Sequence, residues 1–201
     1  MPNDPKAMAE KLLQAIQLQP GERLFGVVDG AQDLELAYEA KCLYGQEITS
    51  LFEGNMAAGA ADVAPYLVPI DPASGYLENW ARRWGKNAGI LLTTTAEPAR
   101  LHAHLRSIFV VQDEQGQQFF FRYYDPRVLR VYLPTCTMEE LMTFCGPIRC
   151  VLIEDAKIDG MLRFSAAPVG LTVDEVPLYQ KNQLNHPSDS GSLGRADRKW
   201  S

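Results

Sequence analysis

Histidine and cysteine are scarce in this chain, three of the first and four of the second. The cysteines stand at Cys42, Cys136, Cys145 and Cys150. The only close pair, Cys145-Gly-Pro-Ile-Arg-Cys150, is too widely spaced for a C-x-x-C redox motif. His186 lies in a polar stretch, so local ligands for a structural zinc site are lacking. Reduced, mostly buried thiols and no cofactor or metal are therefore expected. Nor is there an apolar run long enough to span a bilayer. The opening MPNDPKAMAEKLLQAIQLQPG has neither the basic nor the apolar region of a signal peptide, so a cytoplasmic location is expected. Positive charge is also short, with 19 Lys and Arg against 25 Asp and Glu and a formal net charge of −6. Without a basic field, nucleic acid is excluded as a main partner, leaving room only for a local patch. No G-x-S-x-G, no P-loop and no G-x-G-x-x-G occurs, so the commonest nucleophile and phosphate-binding turns are missing.

What is present is the composition of a globular domain, 46% hydrophobic and 22% charged over 201 residues. Asp4-Pro5 reads as an N-cap followed by proline at the first helical position, with Met8, Leu12, Leu13 and Ile16 along one face and a stop at Pro20-Gly21. LFGVV (24–28) reads as a strand ending at Asp29-Gly30, and 33–42 as a helix. Glycines at 45, 54 and 59 make 43–64 a loop or broken helix. VAPYLVPI (63–70) carries two prolines that cannot donate to a ladder, which predicts an edge or irregular strand. Leu77, Trp80 and Trp84 share a helical stripe closed by Gly85. AGILLTTT (88–95) predicts a strand running into a threonine-rich cap for a helix over 96–107, with Leu101, Leu105 and Ile108 as its buried side. FVVQ (109–112) and QQFFFRYY (117–124) flank a hairpin turn with Gly116 at the position needing positive φ. Thr137-Met-Glu-Glu140 is a capping box. RCVLIED (149–155) and MLRFSAA (161–167) predict two more strands.

Strands alternating with helices, plus a hairpin, place the fold in the α/β (mixed α+β) class: a central mixed β-sheet flanked by helices, with a small C-terminal extension. The layout expected is a domain over 1–155 with a leading helix, C-terminal strands or a small lobe over 156–178, and a polar tail over 179–201.

The densest segment is FFFRYYDPRVLRVYLPTCT (119–137). Alternation sets Phe119, Phe121 and Tyr123 against Phe120, Arg122 and Tyr124, and two mostly apolar faces predict a central strand covered on both sides. Asp125-Pro126 then predicts a helix cap. Arg127 falls in the first turn, where the helix dipole disfavours a cation, so it needs a partner such as Asp125, Asp29 or an acid on another molecule. Arg122, Arg127 and Arg130 are either an anion site or braces between strand end and helix, and the second reading is preferred.

As an ordered set, LFGVVDGAQD (24–33), WARRWGKNAGILL (80–92), LHAHLRSIFVVQDEQGQQFFFRYYDPRVLRVYLPT (101–135) and TFCGPI (143–148) resemble a family of bacterial adaptor chaperones of the type VI secretion system. The resemblance runs from about Leu24 to Asp155. It implies a non-enzymatic role: binding one toxic effector in the cytoplasm and helping to load it onto the valine-glycine-repeat spike protein (VgrG). The positions matching the pattern are Asp29, Gly30, Trp84, Gly85, His104, Arg106, Arg122, Tyr124, Asp125, Pro126 and Arg127, and the resemblance implies that they define the fold. Cys145 departs from it, standing where an aromatic residue is the more familiar neighbour of Gly-Pro.

Two other classes remain to be weighed. A small α/β enzyme using Asp29, with His104 and Asp125 assisting, is disfavoured because His102 and His104 point to different helix faces. An anion- or nucleotide-binding module built on Asp29, Arg122 and Arg127 lacks a glycine-rich turn to cradle phosphate. The chaperone reading needs a recognition surface. Its candidates are Met56–Tyr66 with Tyr66, the late strands 161–177, and a tail whose Arg195, Arg198 and Trp200 suit an interface anchor.

Overall fold

A computed structural model describes residues 4–53, 59–112, 115–156, 160–167 and 170–178. In chain order these form α1 (Pro5–Ile16), β1 (Arg23–Asp29), α2 (Leu34–Tyr44), β2 (Thr49–Ser50), β3 (Pro65–Ile70), α3 (Tyr76–Arg82), β4 (Gly89–Thr94) and α4 (Pro98–Ser107). There follow β5 (Val110–Gln112), β6 (Gln118–Phe120), α5 (Pro126–Tyr132), α6 (Met138–Cys145), β7 (Cys150–Glu154), β8 (Gly160–Ala167) and β9 (Gly170–Pro177). Seven strands make one sheet in the order β2-β3-β1-β4-β7-β8-β9, and β5 pairs with β6 in a separate two-stranded ribbon.

The α+β class holds, but every neighbouring pair is antiparallel where a mixed sheet was expected. The helical alternation that suggested parallel pairing is real. β3 and β4 run the same way and are joined through α3, yet β1 lies between them and pairs antiparallel with both. β8 and β9, the expected C-terminal strands or small lobe, extend the main sheet.

Both faces of the sheet are covered, and period-two alternation sorts the side chains between them. Leu24 and Val28 of β1, Leu91 of β4 and Leu152 of β7 point to the face covered by α1, α2 and α3. Phe25 and Val27, Ile90 and Leu92, and Val151 and Ile153 point to the face covered by α4, α5 and α6. The continuous apolar runs in the sequence follow from this double coverage. At the centre of the first face Trp80 is 1% exposed and lies directly over Gly26. A Cβ at position 26 would stand 2.5 Å from Trp80 Cζ3, so only glycine lets the indole approach β1 this closely.

Local signals account for most helix boundaries. Asp4 Oδ1 accepts from Lys6 N at 3.0 Å with Pro5 at the first helical position, and Asp33 Oδ1 accepts from Leu36 N at 2.8 Å. Thr137 and Glu140 complete the capping box of α6. α1 ends earlier than the Pro20-Gly21 stop, with Gln17 in the left-handed region. The threonine-rich cap of α4 does not form, and the helix starts at Pro98 instead of 96. Thr94 is used elsewhere: its hydroxyl donates to Pro147 O at 2.6 Å and accepts from Ala96 N at 2.9 Å, tying two loops together. β3 pairs with β2 only at Tyr66 and Leu67, so Pro65 and Pro69 stand where no second neighbour needs their missing N–H.

The one large departure is at 117–124. β6 stops at Phe120, and Phe121 N reaches Phe109 O at 2.8 Å before the chain turns inward. The segment is half of an exposed hairpin and not a central strand. The hairpin itself is as expected, with Val110, Val111 and Gln112 opposite Phe120, Phe119 and Gln118, and with Gly116 at φ 82.

Candidate functional site

The carboxyl ends of β1 and β7 and the start of β4 meet at one end of the sheet, and the start of α5 is tied to the same place through Arg122 and Arg130. Asp29 closes β1 and is 1% exposed. Its Oδ1 accepts from the amides of Ala31 and Gln32 at 3.1 and 3.3 Å, and its Oδ2 from Arg122 at 2.6 Å. The adjacent Gly30 donates its amide to Ala64 O at 3.2 Å, holding the turn against the start of β3. Burial works to lower the Arg122 pKa, but the hydrogen bond and charge of Asp29, with Tyr124, together outweigh it and the guanidinium is held above its ordinary value. Arg122 also lies 5.7 Å from the Tyr124 ring centroid. Burial, then the Asp29 charge, raises the Tyr124 phenol.

Two residues further on, Asp125 caps α5. Its Oδ1 accepts from Arg127 N at 2.9 Å, and the Arg127 guanidinium folds back to both carboxylate oxygens at 2.8 to 3.2 Å. Burial pushes the Asp125 carboxyl up, but these hydrogen bonds prevail and hold it below its usual value. The partner that a first-turn arginine needs is thus its own cap, and Pro126 is buried beside it.

Arg130 donates to the backbone O of Glu154 at 2.7 Å and to Asn87 Oδ1 at 3.4 Å. Glu154 closes β7 and is 2% exposed. Its Oε2 accepts from Asn87 N at 2.9 Å, while Oε1 has no partner among the described residues. Burial pushes this carboxyl up to about 7, against the amides of Asn87, Gly85 and Lys86. The same loop follows Trp84, whose Nε1 donates to Gly160 O at 3.3 Å.

Each of the three arginines is therefore occupied inside the molecule, two by carboxylates and one by backbone and amide oxygens. The arrangement ties strand ends to a helix start. The remaining motif positions lie elsewhere. His104 Nε2 bonds Phe144 O at 2.8 Å, fastening α4 to α6, and His102 Nε2 bonds Ser50 O at 2.9 Å, so the two histidines do face apart. Arg106 pairs with Glu53. Among the described residues no group of three His, Cys, Asp or Glu is placed to hold a metal, and no helix is long and apolar enough to cross a membrane.

Of the candidate partner-binding residues, Tyr66 is 6% exposed, its hydroxyl donating to Ala61 O and accepting from Lys41 Nζ. A ring so enclosed is part of the core and presents no docking face. Arg195, Arg198 and Trp200, like Met56, lie outside the described residues. Of the cysteines, Cys145 and Cys150 are buried, but Cys42 is exposed.

The surface that the sequence did not disclose is the β5–β6 ribbon. Val110 and Phe120 stand opposite each other, as do Val111 and Phe119, one pair on each face. They are 42, 62, 42 and 46% exposed. Neither strand has another strand beside it among the described residues. Phe109 anchors the ribbon from below, stacked on Tyr124 at 6.0 Å and edge-on to Phe52 and Tyr123. Four exposed apolar side chains on a ribbon with open edges form the kind of patch that marks an interaction site.

No curated protein and no solved structure matches this chain. The model of a family described as a domain of unknown function (DUF4123) matches residues 24–142, a span that begins in β1 and ends in α6 and so contains the ribbon and the Asp29, Arg122 and Asp125 part of the braced sheet end, while β7 and Glu154 lie beyond it. It covers more than half of the chain, which therefore belongs to the DUF4123 family.

Proposed function

We propose that this protein is a cytoplasmic adaptor chaperone that binds one type VI secretion effector and promotes its loading onto the VgrG spike protein, and that it is not an enzyme. The observation that carries the reading is the apolar ribbon, presented by a chain whose motifs resemble those of type VI adaptor chaperones and lie mostly within the DUF4123 match. A chaperone must hold a polypeptide segment that would otherwise seek an apolar environment. Phe119 and Phe120 offer aromatic anchors of the type that dominates protein interfaces, and open strand edges offer backbone hydrogen bonds to an extended segment. The charged junction fits as support, since its ion pairs are internally matched and Arg122 lies two residues from the ribbon.

The test is co-production of the tagged chain with a candidate effector and the spike protein from the same gene cluster. A Phe119→Ser, Phe120→Ser double variant should lose effector co-purification while keeping its circular dichroism and melting temperature, because both rings are about half exposed or more. Undiminished co-purification would remove the ribbon from the site. Turnover of a small molecule by the pure protein would overturn the reading altogether.

A further inference from the structure

Helix α2 has two apolar sides. Leu36, Ala37 and Ala40 are buried against the sheet. On the opposite side Leu34 and Tyr38, four residues apart, are 54 and 65% exposed, and Cys42, four further on, is exposed as well. Residues at this spacing share one stripe of a helix. A helix that packs through one face normally keeps its other face polar, so this stripe is in excess of what the fold requires.

Charge beside the stripe is unbalanced. Asp33, Glu35 and Glu39 gather around the single guanidinium of Arg83, at 3.0, 3.4 and 3.1 Å. Lys41 of α2 adds a second cation, turned to the Tyr66 hydroxyl at 3.0 Å, and three carboxylates against two cations still leave a negative surplus. The Glu35 side chain is 89% exposed and that of Glu39 33%, so a cation supplied from outside can approach both. The carboxylates also rule against an anionic lipid surface as the occupant.

We propose that the outer face of α2 is a docking surface for a basic amphipathic helix of a partner protein, its apolar side lying along Leu34, Tyr38 and Cys42 and its lysines or arginines meeting Glu35 and Glu39. This surface is separate from the β5–β6 ribbon and stands whether or not the ribbon grips an effector.

The probe is a synthetic peptide of about 18 residues, long enough to hold a helix, with a leucine stripe flanked by lysine and arginine. The control peptide carries glutamate in place of every basic residue. Binding is read by calorimetry, and its location by the alkylation rate of Cys42, the one cysteine that is exposed among the four. Saturable binding is expected, with Cys42 alkylation slowed at least about fivefold and affinity falling as ionic strength rises above about 0.1 M. Tyr38→Glu should weaken binding by about tenfold or more, as should Glu35→Lys to a smaller degree. Both side chains are exposed, so neither change disturbs folding. Equal binding of the glutamate peptide, or binding that leaves Cys42 unprotected, would overturn the proposal. So would concentration-dependent dimerisation of the protein alone that Tyr38→Glu abolishes, since the face would then belong to a second copy.

Discussion

Glu154 makes the stability of this fold depend on pH in a direction opposite to that of most carboxylates. The group is 2% exposed, its Oε1 lacks a partner among the described residues, and burial lifts its pKa from 4.5 to about 7. In the unfolded chain the proton leaves near the ordinary value, so between the two pKa values the native state binds more protons than the unfolded one. Stability then falls as pH rises through this window and levels off above about 7. A displacement of some 2.5 units at 1.36 kcal/mol each gives a loss of about 3 kcal/mol, an order-of-magnitude figure. Urea denaturation between about pH 5 and pH 8 reads it directly as a falling midpoint at constant slope. Glu154→Gln keeps a carbonyl oxygen for the amide of Asn87 and removes the titration. The variant should lose this pH slope and equal or exceed the parent at pH 8, though its amide nitrogen, placed where Oε1 lacks a partner, costs it stability at pH 5. Parallel pH profiles for parent and variant would refute the reasoning, because the slope would then belong to other groups.

Two further outcomes follow from the packing. Arg122→Met leaves Asp29 buried with only the amides of Ala31 and Gln32, and should cost about 2 kcal/mol, less than a fully buried pair because Arg122 is half exposed; adding Asp29→Asn should return part of that loss, as a double-mutant cycle would record. Gly26→Ala drives a methyl into Trp80 and should cost about 1–3 kcal/mol, and pairing it with Trp80→Phe should cost less than the sum of the two single changes in thermal melts.

What was legible in the sequence was what short-range physics decides. The caps at Asp4, Asp125 and Thr137, the hairpin turn and the strands over 24–28 and 149–155 all rest on residues within a few positions of one another. The ion pair of Arg127 with Asp125 falls in the same category. The exposed ribbon was not legible, because alternation shows which side chains share a face but not whether that face is covered. Phe119 and Phe120 carry the same pattern as the buried Tyr123 and Tyr124, and the difference is made by Asp29, far off in sequence, which draws Arg122 out of the strand. The run of glutamines at 112, 115, 117 and 118 was the available signal: polar, uncharged residues suit a ribbon at the surface better than a strand inside a sheet. Antiparallel pairing was hidden for a similar reason, since the insertion of β1 between β3 and β4 leaves no local trace.

The motif that first suggested chemistry has a mechanical explanation that links it to the ribbon. Phe120 and Arg122 are separated by one residue, and that residue, Phe121, takes the last ribbon hydrogen bond while its ring packs on Tyr132 of α5 at 4.6 Å. Arg122 is fixed to β1 through Asp29, and Asp125 starts α5 three residues later. The base of the ribbon is therefore held from the sheet and from the helix at once. An isolated two-stranded ribbon is marginal in water, so without this clamp Phe119 and Phe120 would be presented by a fluctuating loop, and binding would carry the added cost of ordering it. The clamp thus predicts where its loss is felt: Arg122→Met should weaken partner binding through the ribbon while leaving the outer face of α2, on the other side of the sheet, unaffected.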